Sequence, residues 1–185
     1  MRTHSISIAA ALAAWCLSGM PSQALAHDGD SGHEEVELTP EARQQLAALR
    51  AATAPYHDFD AATAVDRWDT PITLCMASAE GGMGYHYADM GNFAVHDPTR
   101  PQALIFEPEE DGSMRLVAVE YIVPDGGTPG TEDSPPPPPL FGQPFEYVPA
   151  FDVWGLHAWV WRNNPSGMFA AWNPNVSCEF GVPQP

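Results

Sequence analysis

The pattern of apolar and polar residues changes from a helical period to a strand period about a third of the way along the chain. Inward-facing positions first recur three and four residues apart, at Leu46, Leu49, Thr53 and Tyr56. Thr39 and Pro40 precede them as a typical N-cap and first helical residue. Pro55 lacks an N–H donor, so we predict that it divides the segment into a helical hairpin whose second helix ends near Val65.

The later segments are short, rich in β-branched or aromatic residues, and bounded by Gly, Pro, Asp or Asn. They cover residues 72–76, 83–88, 103–107, 114–123 and 157–162. Asp111 and Gly112 supply a tight turn between the third and fourth segments, so these two should pair antiparallel. The pattern predicts an α+β domain with an N-terminal helical hairpin packed on an antiparallel β-sheet. The alternative is a small β-barrel with an N-terminal helix.

The first 26 residues have the layout of a secretory signal peptide. Arg2 precedes a mostly apolar run over residues 6–17, and Ala24, Leu25 and Ala26 form a small-residue cleavage site. We predict cleavage after Ala26 and a secreted or periplasmic protein. The apolar run is shorter than the roughly 20 residues of a membrane-spanning helix, so no transmembrane segment is predicted.

The remainder reads as a flexible leader followed by one domain. Residues 27–38 are rich in His, Gly and acids without an apolar period, which is typical of a flexible segment. Residues 39–185 are long enough for a single globular domain. Within it, a Pro-rich loop at about 124–144 contains five consecutive prolines and should form an extended polyproline arm.

The composition limits the classes of partner that the protein can bind and indicates the compartment in which it folds. Aspartate and glutamate number 24 against 7 basic residues, all arginine, and the net charge is −17. This charge repels phosphate backbones and anionic lipids, which argues against nucleic acid and favours cations. Cys75 and Cys178 are the cysteines left after the signal peptide, and they predict a disulfide in an oxidising compartment. A two-thiolate metal site would lack the usual CxxC spacing.

Strand parity brings three ionisable side chains into consideration, because alternate residues of a strand share a face. His86 lies on the face of its strand opposite Tyr85 and Tyr87, Glu120 interrupts an apolar strand, and His157 begins another. If the three faces coincide, they form a two-histidine, one-carboxylate set, which suits iron, zinc or copper. A fourth position would remain open for water, oxygen or substrate in metal-assisted chemistry.

Aromatic residues flank two of these positions and suggest the walls of a ligand pocket. We predict that Tyr85 or Tyr87 and Trp159 or Trp161 line it, with a metal ion or a small molecule as the partner. Two alternatives stay open. Glu120 could pair with an arginine such as Arg115 or Arg162, or the protein could be a binding module without a metal.

A second candidate metal site lies at the predicted mature N-terminus. After cleavage, His27 would offer both its amine and its ring nitrogen, and His33 could add a ligand. The arrangement resembles half of the histidine brace of lytic polysaccharide monooxygenases and of some periplasmic copper carriers. This resemblance implies copper binding through His27.

Several longer segments of the chain are similar to an uncharacterised family of secreted bacterial proteins. They are AATAPYHDFDAA at 51–62, GGMGYHY at 81–87, LVAVEYIVP at 116–124, LFGQPF at 140–145 and LHAWVWRNNPSGMFAAWNPNVSC at 156–178. The resemblance implies one shared domain and points to these segments, not to the leader or the polyproline arm, as the seat of function.

Overall fold

The computed structural model describes residues 37–93, 95–128 and 130–182, which form a mixed α+β architecture. One α-helix, α1 at Pro40–Thr53, precedes seven strands. The strands are β1 Thr70–Pro71, β2 Met76–Ser78, β3 Gly81–Ala88, β4 Ala103–Pro108, β5 Met114–Pro124, β6 Glu146–Val148 and β7 Val153–Ala158. The predicted signal peptide and most of the predicted leader lie outside the described residues.

Helix α1 begins where the sequence predicts. The Thr39 hydroxyl accepts a hydrogen bond from the Ala42 N–H at 3.1 Å, and Pro40 occupies the first turn, where its missing N–H costs nothing. Leu46 and Leu49 are buried on the face that packs against the sheet. Burial of each leucine side chain stabilises the fold by about 1.5–3 kcal/mol.

The predicted second helix of a helical hairpin is not supported. After α1 the chain makes a four-residue 3-10 turn at Ala54–His57 and a five-residue π-turn at Ala61–Val65. Pro55 cannot donate to the α-helical ladder. The Asp58 carboxylate then accepts the N–H groups of Asp60 and Ala61 at 3.1 and 3.3 Å, as an N-cap does, but the segment that follows is the short π-turn and not an α-helix.

The strands form one antiparallel sheet in the order β1-β3-β4-β5-β7-β6, with β2 also paired to β3. The predicted pairing of β4 with β5 across Asp111 and Gly112 is confirmed. Because the order has two ends, at β1 and β6, the described strands form an open sheet and not the alternative barrel. Two predicted strands were misplaced. Of the strand predicted at 72–76, residues 72–75 lie between β1 and β2, and β7 covers Val153–Ala158, whereas the prediction placed this strand at 157–162.

The two faces of the sheet bury different sets of residues. The face that carries α1 holds the larger core, which includes Leu104, Phe106, Val119, Tyr121, Leu156 and Ala158. The opposite face holds two smaller clusters, formed chiefly by Ile105, Val117, Ala118, Trp159, Val176, Ala88, Ala103 and Ile122. His86, Glu120 and His157 are buried on this second face.

The Pro-rich loop and the disulfide fix the covering segments. The described residues between 125 and 144 contain no named strand. Asp125 accepts hydrogen bonds from the Trp154 indole and from the Asp133 and Ser134 N–H groups, which attaches the loop to β7. The predicted Cys75–Cys178 disulfide is confirmed. Closing a loop of this length stabilises a fold by roughly 3–5 kcal/mol in the chain-entropy model.

Among the helices of the described part of the chain, none is long and apolar enough to cross a membrane.

Candidate metal centre

Three strands bring His86, Glu120 and His157 together. Glu120 on β5 lies directly opposite His157 on β7, and β4 separates β5 from His86 on β3. Neighbouring strands lie about 4.8 Å apart, so the His86 and Glu120 side chains must reach across β4. Ala103, the β4 residue that pairs with Glu120, has a side chain small enough to allow this.

A glycine on β7 makes room for the carboxylate. A Cβ atom added at Gly155 would stand 3.2 Å from Glu120 Oε1 and 3.4 Å from a Val148 methyl group. Any larger residue would therefore press against Glu120. Gly84 on β3 has a different role from Gly155. A Cβ atom added at Gly84 would stand 2.5 Å from the Phe106 carbonyl oxygen, so this glycine allows the close approach of β4 and not of a ligand.

The nitrogen and oxygen atoms of the cluster converge on one point. His86 Nε2 lies 3.3 Å from Glu120 Oε2, and His157 Nε2 lies 3.8 Å from Glu120 Oε1. One ligand atom from each residue falls within 4.8 Å of the other two. Ligand atoms of a tetrahedral zinc ion, at about 2.0–2.2 Å each, lie about 3.3–3.6 Å apart. The two histidine–carboxylate distances are therefore close to those of a zinc site, and a separation of 4.8 Å would have to shorten by about 1.2–1.5 Å.

Thr73 orients one of the histidines. Its hydroxyl lies 2.9 Å from His86 Nδ1 and also accepts the His86 backbone N–H at 3.3 Å. When Nδ1–H donates to Thr73 Oγ1, Nε2 is left as a free lone pair aimed at Glu120. This is the arrangement that polar partners impose on histidines that bind metals.

His157 contributes a buried nitrogen without a partner. Among the described residues, the buried side-chain polar atoms that lack a hydrogen bond are Trp68 Nε1, Glu107 Oε2 and His157 Nε2. His157 is 8% exposed, and its ring stacks on Trp159 with centroids 6.2 Å apart. An unsatisfied buried nitrogen costs about 1–3 kcal/mol, and it points into the cluster.

Burial keeps all three groups neutral in the absence of a cation. Removal from water lowers the pKa of His86 to about 3, with a further contribution from His157. The same desolvation lowers the pKa of His157 to about 4 and raises the pKa of Glu120 to about 8. Neutral imidazoles are the form that ligates metals, while Glu120 would release a proton on binding a cation.

The arginines proposed as structural partners lie elsewhere. Arg115 pairs with Glu109 at 2.6 Å, and Arg162 donates to the Asn175 carbonyl at 2.7 and 3.0 Å. Neither arginine neutralises Glu120. The described residues therefore show a cluster of two histidines and a carboxylate without a basic residue to balance it.

The cluster lies in the wall of a cavity of about 640 Å³. Its lining is mostly apolar and comes from the 72–76 segment, from residues 143–151 after the Pro-rich loop, and from residues 169–172. Sequence parity missed these segments because they consist mostly of loops and short edge strands, and only the tertiary fold brings them over the sheet. Their Met and Phe content was the available signal.

The four aromatic residues predicted as walls do not line this cavity. Tyr87 packs on the helix side of the sheet, 5.9 Å from Phe106, and the Tyr85 hydroxyl accepts the Val182 N–H. Trp161 donates to the Thr53 hydroxyl. Trp159 contacts the His157 ring from behind. The tyrosines point away because they alternate with His86, and Trp161 lies beyond the end of β7.

His27 and His33, the second candidate metal site, lie outside the described residues, and copper binding through them stays a prediction. In comparisons with protein-family models, curated proteins and solved structures, no match to this chain was found. The resemblance to a family of secreted bacterial proteins likewise stays a prediction.

Proposed function

We propose that this protein binds a divalent transition-metal ion through His86, Glu120 and His157. The observation that carries the proposal is the buried His157 Nε2, which has no hydrogen-bond partner and faces a carboxylate 3.8 Å away. Two imidazole nitrogens and one carboxylate oxygen suit zinc, iron or copper. Thr73 supports the proposal because its hydroxyl, 2.9 Å from His86 Nδ1, can accept the Nδ1–H and leave Nε2 free to bind a metal.

The cavity around the cluster supports a role in binding or chemistry and not only in structure. Structural zinc sites are usually closed by four protein ligands, whereas sites with three ligands keep a position for water or substrate. Within the described residues only these three side chains form a metal-capable group. We infer an open position that faces the apolar cavity, in a protein exported through its predicted signal peptide.

The test is metal content and thermal stability of the mature protein produced without an affinity tag. We expect near-stoichiometric metal in the wild type, loss of metal in His157→Ala, and no loss in His96→Ala, an exposed histidine outside the cluster. Excess zinc at about 100 times its Kd should stabilise the wild type by about 2.7 kcal/mol, or roughly 5–10 °C in Tm. Melting in the presence of a chelator checks that each variant folds.

Two results would contradict the proposal. Metal that persists in a folded His157→Ala variant but disappears with His27→Ala would transfer binding to the N-terminus. Absence of metal from the wild type, with no response of Tm to zinc, iron or copper, would favour the second candidate. That candidate is a binding module for an apolar molecule without metal, and the observation favouring it is the 640 Å³ cavity.

A further inference from the structure

The cavity beside the metal cluster has apolar walls that extend to the solvent. Three large apolar side chains at its rim are unusually exposed: Ile72 at 37%, Met90 at 56% and Phe151 at 55%. Exposed apolar residues that gather around a concave surface mark binding sites for apolar molecules. A volume of about 640 Å³ lies within the range of about 300–1,000 Å³ of pockets for drug-sized ligands.

The charged groups of the lining restrict the polar end of such a molecule. His86, His157, Glu120 and Glu146 are the ionisable residues among those that line the cavity, and no arginine is among them. Glu146 is exposed to solvent and is not part of the ligand cluster, so a divalent ion held by Glu120 and two neutral histidines keeps one positive charge in the buried part of the cavity. A single negative charge on the ligand would neutralise it, and burial in an apolar cavity strongly favours the neutral assembly.

We propose that the cavity binds an apolar molecule with one anionic oxygen donor, such as a carboxylate, whose oxygen occupies the open position on the metal. The proposal rests on the proposed metal site. Without the metal, the anion would meet only Glu120 and Glu146 and find no cationic partner in the lining. The metal ion is therefore required for recognition of the charged end, while the walls recognise the body.

The walls also indicate tolerance in the shape of that body. Met76, Met83 and Met90 line the cavity together with Ile122 and Val153. Unbranched, polarizable methionine side chains adapt to different ligand shapes. The class of ligand is thus set by an apolar body with a single anionic end, rather than by one exact outline.

Calorimetric titration of the mature protein with three probes tests the proposal: decanoate, decanol and acetate. With zinc bound, decanoate should bind at least about tenfold more tightly than decanol. Both probes bury the same alkyl chain, and only decanoate adds a charged group that the zinc ion can bind. Acetate should bind at least tenfold more weakly than decanoate because it buries almost no apolar surface. After zinc removal, the advantage of decanoate over decanol should vanish or reverse.

A matched pair of rim variants tests the location. Phe151→Ser removes an exposed ring of the cavity lining. It should weaken decanoate binding by threefold or more, because the loss of buried apolar surface costs about 0.7 kcal/mol. Phe180→Ser removes a ring of similar exposure, 49%, that does not line the cavity, and should leave decanoate binding unchanged. Both residues are exposed, so both variants should fold.

Zinc content measured in every sample separates the two proposals. Stoichiometric zinc with equal decanoate affinity in the loaded and metal-free protein would overturn the ligand class and leave the metal site standing. Equal effects of Phe151→Ser and Phe180→Ser would overturn the cavity as the binding place. Wild-type protein that takes up no zinc would overturn both proposals together.

Discussion

Replacing Glu120 with glutamine should stabilise the metal-free protein at alkaline pH, although it alters a buried side chain in a strand. Burial raises the pKa of Glu120 to about 8, so at neutral pH the folded protein holds this group protonated. In the unfolded chain the group ionises at its ordinary pKa of 4.5. Glutamine has nearly the same shape and never ionises, so it removes this penalty.

The magnitude follows from proton linkage. A raised folded-state pKa contributes stability that is fully present below the unfolded pKa and is lost as pH rises towards the folded pKa. Each pH unit between these values corresponds to about 1.4 kcal/mol. The difference between Glu120→Gln and wild type should therefore grow by about 3–4 kcal/mol between pH 5 and pH 8, a large share of the 5–15 kcal/mol typical of a domain.

The assay is urea unfolding followed by tryptophan fluorescence at several pH values from 5 to 8, with a chelator present. The comparison of variant with wild type removes the separate effect of the histidines, whose lowered pKa values favour the fold as pH rises towards 6.5. Glu110→Gln, at an exposed position, serves as the control. A Glu120→Gln protein that is less stable than wild type at pH 8 would refute the reasoning, because Glu120 would then carry its charge in an ion pair with a protonated histidine.

Two further predictions concern Thr73, which contacts His86, and Asp125, which lies in the Pro-rich loop. Thr73→Val should lower zinc affinity by about tenfold or more, because the hydroxyl 2.9 Å from His86 Nδ1 positions the His86 ring for the metal. In a chelator competition assay, Thr73→Ser should preserve the affinity. An equal loss of affinity in both variants would contradict a positioning role for Thr73. Hydrogen bonds from Ser134, Asp133 and Trp154 lower the pKa of Asp125 to about 2, so the stability it contributes is present above about pH 4 and is lost as pH falls through 2. In chemical denaturation, the free energy of unfolding of Asp125→Asn should be lower than that of wild type at pH 6 but not at pH 2. An equal difference at both pH values would contradict the prediction.

Strand parity identified the cluster, but only the fold could make it one site. Alternation along each strand places His86 opposite its flanking tyrosines and puts Glu120 among apolar residues. Parity does not reveal the strand order, however. The cluster exists because β4 lies between β3 and β5 and presents Ala103, and because Gly155 on β7 leaves space for the carboxylate.

The failures of prediction have local and tertiary causes. The predicted helical hairpin is replaced by a 3-10 turn that contains Pro55, which has no N–H to continue the α-helical ladder, and by a short π-turn at Ala61–Val65. The pocket walls were misassigned because aromatic residues next to the histidines were preferred over distant loops. The lining residues Met90, Phe151 and Phe169 lie far apart in the chain, and no short-range period connects them.

The energetics of the cluster argue for a ligand and against a purely structural role. The buried carboxylate, with its raised pKa, reduces the stability of the metal-free fold near neutral pH, and His157 Nε2 adds an unsatisfied nitrogen. The two buried histidines, with their lowered pKa values, reduce it only below about pH 6.5. A structural cluster would gain from a nearby arginine, yet Arg115 and Arg162 bond elsewhere. Apolar residues of similar volume would pack this face at lower cost. A cation resolves every one of these penalties at once, since it ionises Glu120, uses both neutral imidazoles and gives the free nitrogen a partner.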